Sequence, residues 1–197
     1  MAKQSTLKSM VATLAAITLI SSALLGGVYA LTKKPIEIAM TAKTNAAIAS
    51  VSPEFDNDPS ADMFLTELSG KSYKVYPAKM GGAVTGYAIE SYASGFGGRI
   101  SLMIGFNLDG TIKSISVLSH AETPGLGDKI DISKSNFSVQ FRGKSPEEFK
   151  MLVRQDGGEV DAITASTITS RAYCDAVMTA WEVYKVCVSD NKKTGGE

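Results

Sequence analysis

One uninterrupted apolar run near the amino terminus most constrains what this chain can fold into. Residues 11–31 read VATLAAITLISSALLGGVYAL and contain no charged side chain. Because a helix needs roughly 20 apolar residues to cross the core of a bilayer, the run predicts one transmembrane helix. A cleaved signal peptide ending at Ala30 is the alternative. We favour an uncleaved anchor, since a signal peptide has a shorter apolar core of about 7–15 residues.

The apolar run divides the sequence into five predicted segments. They are a short cytoplasmic N-terminus (residues 1–10), the transmembrane helix (11–31), a helix and linker (32–60), one domain (61–190) and a polar tail (191–197). Two lysines flank each end of the run, so the positive-inside rule does not decide the orientation. The shortness of the leading tail favours an amino terminus on the cytoplasmic side.

Composition excludes several classes of function. The 20 basic and 20 acidic side chains cancel, whereas a nucleic-acid-binding domain is normally basic, so we predict no nucleic-acid partner. The sequence has two cysteines, Cys174 and Cys187, and one histidine, His120. Together they cannot supply the four ligands of an iron–sulfur cluster or a structural zinc site, so no metal is predicted. On one helix the two cysteines would lie roughly 20 Å apart, too far for a disulfide, and we expect both to be buried.

Patterning along the remaining chain predicts an α+β fold in which an antiparallel sheet with flanking helices follows the transmembrane helix. Strands are expected over residues 72–76, 83–92, 99–106, 111–118 and 160–163, with turns at 79–82 and 107–110. Helices are expected over 36–51, 147–153 and 170–188. Ser145 and Glu148 form a capping box for the second helix. The third carries an apolar stripe formed by Tyr173, Val177, Trp181, Tyr184 and Val188.

A hydroxyl-rich segment lies directly before the last predicted helix. Residues 161–170 read DAITASTITS, and five of these ten side chains bear a hydroxyl. Unpaired N–H groups at a helix N-terminus bind phosphate well, so the segment is a candidate phosphate site. Helix capping by a single hydroxyl is the simpler interpretation, and the residues alone leave both open.

A second candidate segment follows the strand predicted over residues 111–118. Residues 120–127 read HAETPGLG, in which proline and glycines indicate a tight loop with close backbone approach. Glu122 and Thr123 offer polar groups at the entrance of the loop. A plain turn is the alternative interpretation.

Taken together, the two segments resemble two related FMN-binding proteins: the G-type subunit of the RNF electron transport complex and the C-type subunit of the sodium-pumping NADH:quinone reductase. In those families a flavin transferase recognises the motif D-x-x-S/T-G-A-T-x-T and joins FMN through a phosphodiester to the threonine that closes the S/T-G-A-T core. The family loop E-T-P-G-L-G is intact at residues 122–127. The motif is matched by Asp161, Thr164, Thr167 and Thr169, with Ile168 at the variable position, whereas Ala165 replaces the usual glycine and Ser166 the usual alanine.

The resemblance implies a covalent FMN on Thr167 and a set of residues around it. Thr164, Ser166, Thr169 and the N–H groups of the last helix would hold the phosphate. The ring or ribityl chain would be approached by Glu122, Thr123, Leu126 and Gly127. The sequence does not distinguish among Tyr92, Phe96 and Trp181 as the aromatic partner of the ring. No acid–base catalytic residue is expected, because the flavin itself carries the electrons.

The resemblance also implies a function for the whole chain. It would be an electron-transfer subunit of a membrane-bound, ion-translocating complex of the ferredoxin:NAD⁺ oxidoreductase type, with its domain on the periplasmic side of the inner membrane. Its partners would be the other subunits of the complex, a flavin transferase and membrane lipid. Three alternatives remain: a C-type subunit of a Na⁺-pumping NADH:quinone reductase, a cofactor-free envelope-anchored binding module, and a flavin reductase with dissociable FMN.

Overall fold

The computed structural model describes residues 6–194 and divides into two compact units, with the boundary between Lys43 and Thr44. Helix α1 runs over Leu7–Val51 and contains Pro35. It includes the predicted helix of residues 36–51. Among the described residues, α1 is the one helix long and apolar enough to cross a membrane by length and composition, and none of its most apolar stretch is buried.

An antiparallel sheet forms the centre of the second unit, as predicted, and it has five strands. The strands are β1 (Phe64–Leu68), β2 (Lys71–Met80), β3 (Ala83–Ser94), β4 (Arg99–Asn107) and β5 (Ile112–Ser119). Each strand pairs with the next along the chain, so their order in the sheet is the order in the sequence. The predicted turns between β2 and β3 and between β4 and β5 are both present.

Strand β1 was not predicted, although its turn carries a recognisable signal. Leu68 pairs with Lys71, so only Ser69 and Gly70 connect β1 to β2. Both connecting residues have positive φ, 51° and 74°. Two-residue hairpins favour turns of this kind, in which glycine adopts positive φ at no steric cost. The Ser-Gly dipeptide was therefore the available sequence signal.

Helices cover both faces of the sheet. Helix α2 (Thr167–Thr194) begins three residues before the predicted start and packs against β3 and β4. Its predicted stripe is confirmed, because Tyr173, Val177, Trp181 and Tyr184 are buried and Val188 packs against the same core. The last residues of α1 form a separate core with the opposite face, made by Ala47, Ile48, Val51, Tyr76, Ala88 and Met103. Cys174 and Cys187 are both buried in the core that α2 forms with the sheet, as predicted.

The predicted helix over residues 147–153 is wrong. Ser145 does start a turn, accepting bonds from the N–H groups of Glu148 and Phe149. The helix does not continue, because the N–H of Lys150 donates to the Glu159 carboxylate at 2.7 Å. Val153 then pairs with Val160 in a parallel bridge. Tertiary pairing with the following segment thus replaces the helical hydrogen bonds that the capping box favours.

The predicted strand over residues 160–163 is also wrong, since only Val160 pairs in this way. The next residue, Asp161, donates its N–H to Gln140 Oε1 at 2.8 Å and accepts from Gln140 Nε2 at 3.2 Å. One glutamine side chain therefore satisfies the backbone groups that a longer strand would have used.

Candidate functional site

The two candidate segments line one cavity in the second unit. Its volume is about 430 Å³, within the range of small-molecule and cofactor sites. The walls come from the β3–β4 turn, the loop after β5 and the first turn of α2. The lining residues are Phe96, Glu122, Thr123, Leu126, Gly127, Ala165, Ser166, Thr167, Ile168 and Thr169. Nine of the eleven residues predicted for the site are therefore brought together.

A tight turn within the hydroxyl-rich segment leads into α2. The N–H of Ser166 donates to the carbonyl of Ile163 at 3.0 Å, which closes a four-residue turn. Ala165, the third residue of this turn, has a φ of 61°. A type II turn places positive φ at that position and favours glycine there. Ala165 therefore adopts a conformation that glycine would adopt without steric cost.

The start of α2 presents unpaired donors beside the cavity. The first N–H groups of an α-helix have no partner inside the helix. Here the N–H of Ser170 bonds to the carbonyl of Ser166 at 2.9 Å. Within residues 6–194, the N–H groups of Thr167, Ile168 and Thr169 have no protein acceptor. These three groups and the helix dipole make the cavity wall suited to an anion.

A buried carboxylate connects the other two walls. Glu122 is 5% exposed. Its Oε2 accepts from the Thr169 hydroxyl at 2.6 Å, and its Oε1 accepts from the N–H of Gly97 at 3.1 Å. Because the single hydroxyl proton of Thr169 is donated to Glu122, this hydroxyl cannot also donate to a phosphate. His120 stabilises the loop after β5, since its Nδ1 accepts a hydrogen bond from the N–H of Glu122 at 3.2 Å.

Two residues predicted for the site lie outside the cavity lining. Asp161 forms an exposed ion pair with Arg154 at 2.8 Å. Thr164 is exposed on the outer side of the turn that Ser166 closes. Both precede the left-handed residue Ala165, and within the hydroxyl-rich segment the residues that line the cavity are those from Ala165 to Thr169.

Phe96 is the one aromatic residue among those lining the cavity, and it is 70% exposed. Tyr92 instead stacks against Tyr73 at 5.6 Å between ring centroids, under the Arg99 guanidinium. Trp181 is buried in the α2 core and stacks against Tyr184. The structure therefore distinguishes three aromatic candidates that the sequence left equivalent, because only Phe96 lies on the turn that reaches the cavity.

The donor set and shape of the cavity fit FMN. Unpaired N–H groups on one wall suit its phosphate, and the apolar side chains of Phe96, Leu126 and Ile168 suit its ring system. Gly127 leaves necessary space, since a Cβ there would lie 2.6 Å from Glu122 Oε2 and 3.0 Å from Thr169 Oγ1. A cavity that combines unpaired N–H donors with apolar side chains is suited to a phosphorylated flavin.

Comparison with known proteins agrees with this geometry. The FMN-binding domain family matches residues 95–182, a range that includes every residue lining the cavity. The G-type subunit of the ion-translocating oxidoreductase complex from Cereibacter sphaeroides is 40% identical over 161 residues, covering 79% of this chain and 74% of the relative. The chain belongs to the family of G-type subunits of ion-translocating oxidoreductase complexes. The resemblance inferred from the two sequence segments is thereby confirmed.

Other relatives extend the comparison. The G-type subunit of the same kind of complex from Aliivibrio fischeri is 35% identical over 191 residues, which cover 91% of each chain. Among solved structures, the C-type subunit of the Na⁺-translocating NADH-quinone reductase from Parabacteroides distasonis is 26% identical, with a TM-score of 0.47 over 67% of this chain and 69% of that one.

Family membership establishes the broad function. The chain is an FMN-binding electron-transport subunit of an ion-translocating oxidoreductase complex, and the other subunits of that complex are its partners. Its apolar helix α1 is suited to anchor it in the membrane. A cofactor-free binding module is disfavoured by the FMN-binding domain, and a C-type subunit by the identities to the G-type relatives.

Proposed function

We propose that FMN is attached covalently through a phosphodiester to Thr167 and relays electrons within a complex of the ferredoxin:NAD⁺ oxidoreductase type. The observation that carries the proposal is the environment of Thr167. This residue is half-buried, lines the cavity, and is the first residue of α2. Within the described part of the chain, its hydroxyl has no hydrogen-bond partner, in contrast to those of Thr169 and Ser170.

The first turn of α2 would hold the phosphate once the ester has formed. The hydroxyl oxygen of Thr167 would become the bridging oxygen as another P–O bond of the flavin donor breaks, and the leaving group would depart with the hydroxyl proton, so that the chain gains FMN less one water. The N–H groups of Ile168 and Thr169 would donate to the remaining phosphate oxygens, and the helix dipole would favour their negative charge. Ser166, which is 7% exposed, is the neighbouring hydroxyl that lines the cavity.

The loop after β5 and the β3–β4 turn would contact the rest of the cofactor. Thr123, Leu126 and Gly127 form one wall of the cavity, and Phe96 forms another. FMN supplies the electron-transfer chemistry when it is bound, and the protein supplies its orientation and electrostatic surroundings. A covalent link keeps the cofactor in place through every turnover on the side of the membrane where lost FMN would not be replaced.

The proposed placement requires a flavin transferase and a periplasmic domain. Asp161 and Thr164 belong to the motif but not to the cavity lining, and both are exposed. Their exposure leaves them accessible to a transferase before attachment. Residues 1–10 would then lie in the cytoplasm, residues 11–31 would cross the inner membrane, and residues 32–60 would lead to the domain over 61–190.

A denaturation test separates covalent attachment from a dissociable FMN. The full chain is co-expressed with a flavin transferase, denatured in detergent and separated by electrophoresis. We expect flavin fluorescence to stay with the wild-type band and to be lost from Thr167→Ala, while the matched control Thr179→Ala keeps it. Flavin that leaves the wild-type polypeptide on denaturation would favour the flavin-reductase alternative.

A further inference from the structure

Glu122 is placed to organise the cavity. It is a carboxylate with 5% exposure, which would be costly to bury without donors. Two donors from different elements meet it: the N–H of Gly97 in the β3–β4 turn and the hydroxyl of Thr169 in α2. Hydrogen bonds to an ionised acceptor are stronger than those between neutral groups. Both oxygens of Glu122 are therefore engaged by protein.

Glycines pack closely around this carboxylate on two sides. A Cβ at Gly95 would collide with Glu122 Oε1, and a Cβ at Gly97 would collide with the carbonyl oxygen of Ala121. A Cβ at Gly127 would lie 2.8 Å from the Cβ of Glu122. The β3–β4 turn and the loop after β5 thus approach each other as closely as backbone permits. Only residues without a side chain allow the Glu122 carboxylate to reach both partners.

Phe96 lies between two of these glycines. Its neighbour Gly97 donates to Glu122, and Glu122 in turn accepts from Thr169, two residues after Thr167. One carboxylate therefore connects the turn that carries the aromatic side chain to the helix turn that carries the attachment residue. A side chain that is 70% exposed has little packing of its own to hold it.

We propose that Glu122 is a positioning residue rather than a ligand of the flavin: by joining Gly97 to Thr169, its carboxylate holds Phe96 against the flavin ring in the cavity that Thr167 also lines. This inference rests on the proposed function, and it identifies Phe96 as the residue that contacts the flavin ring. The resemblance had implied direct approach of Glu122 to the cofactor. The two protein hydrogen bonds assign it a supporting role instead.

The first measurement needs no flavin. Hydrogen exchange of the Gly97 amide is followed by mass spectrometry in the full chain carrying Thr167→Ala, in detergent. Glu122→Gln should lower protection of this amide roughly tenfold, because the glutamine oxygen can still accept from Gly97 but forms a weaker hydrogen bond than a carboxylate does. Thr169→Val should lower it less and Thr169→Ser should preserve it. Glu148→Gln, which removes a carboxylate from an exposed position, is the matched control and should leave it unchanged.

The second measurement uses the flavin-loaded full chain. Phe96→Leu should raise flavin fluorescence and shift the midpoint potential while leaving Gly97 protection intact, because it removes the ring but not the carboxylate. Glu122→Gln and Thr169→Val should change the same two flavin signals together with the protection. If Glu122→Gln does not fold, the Thr169→Val and Thr169→Ser pair decides the question.

Unchanged Gly97 protection in both Glu122→Gln and Thr169→Val overturns the proposal, as does a flavin signal indifferent to Phe96→Leu. Failure of the proposed function would look different. A wild-type chain without covalent flavin would refute attachment at Thr167, while the exchange result from the flavin-free chain would still decide whether Glu122 holds the β3–β4 turn.

Discussion

Ala165 is a residue whose backbone conformation disfavours its side chain. Its φ of 61° lies in the left-handed region, which costs a residue with a Cβ roughly 1–2 kcal/mol. Glycine avoids that cost but loses about 0.5–1 kcal/mol through the freedom of the unfolded chain. We therefore expect Ala165→Gly to stabilise the protein by about 0.5–1 kcal/mol, measured by denaturant unfolding of the second unit.

Ala61 supplies the control for this substitution. It is exposed and its φ is not positive, so Ala61→Gly should be neutral or destabilising. Because glycine also matches the family motif, Ala165→Gly should raise the flavinylated fraction wherever wild-type labelling is incomplete. A glycine variant that is less stable than wild type would contradict the conformational account of this turn.

At the residue scale the sequence predicted which residues come together, but not the contacts among them. The motif and the loop identified nine residues that line the cavity, since each has a fixed spacing from the start of a helix or the end of a strand. The hydrogen bond between Glu122 and Thr169 joins residues 47 positions apart, and no local pattern contains it. Phe96 was likewise only one of three equivalent aromatics until the fold placed its turn beside the cavity.

At the scale of elements, Ser170 fixes the junction between α2 and the turn over residues 163–166. It is fully buried, and its Oγ accepts from the N–H of Ile163 and donates to the carbonyl of Ser166, both at 3.0 Å. Ser170→Ala would leave the Ile163 N–H buried without a partner. We expect a loss of about 1–3 kcal/mol in the free energy of unfolding, measured by chemical denaturation.

The matched control lies at the exposed end of the same helix. The Ser189 hydroxyl is exposed and donates to the carbonyl of Val186 in its own helix, so Ser189→Ala should change stability by no more than about 0.5 kcal/mol. Equal losses in the two variants would show that helix propensity, rather than the buried junction, determines the effect.

The elements whose sequences have a periodic apolar pattern were predicted. The segments whose conformation depends on pairing with another part of the chain were not. Strands β2 to β5 and the stripe of α2 follow from alternation and helical spacing. The helix predicted over residues 147–153 rested on a capping-box pattern in the sequence. It does not form, because the Lys150 N–H that would bond within it donates to the Glu159 carboxylate instead. The residues around a capping box do not show whether a residue farther along the chain will compete for the helical hydrogen bonds.

At the scale of the whole molecule, the orientation across the membrane is open to a labelling experiment. Both native cysteines are buried, so an introduced exposed cysteine is the main site for a membrane-impermeant maleimide. In right-side-out vesicles we expect Ser133→Cys to be labelled. Ser9→Cys should be labelled only after permeabilisation, because residues 1–10 are proposed to be cytoplasmic. The reverse pattern would contradict a periplasmic domain.

Covalent flavin on Thr167 is tested most directly on the tryptic peptide Gln155–Arg171 from the native complex, which contains all five hydroxyls of the acceptor segment. We predict that tandem mass spectrometry finds this peptide heavier by FMN less one water, with the added mass on Thr167, and that Thr164→Ala leaves the added mass at that position. An unmodified wild-type peptide, or an adduct on Thr164, Ser166, Thr169 or Ser170, would contradict the account.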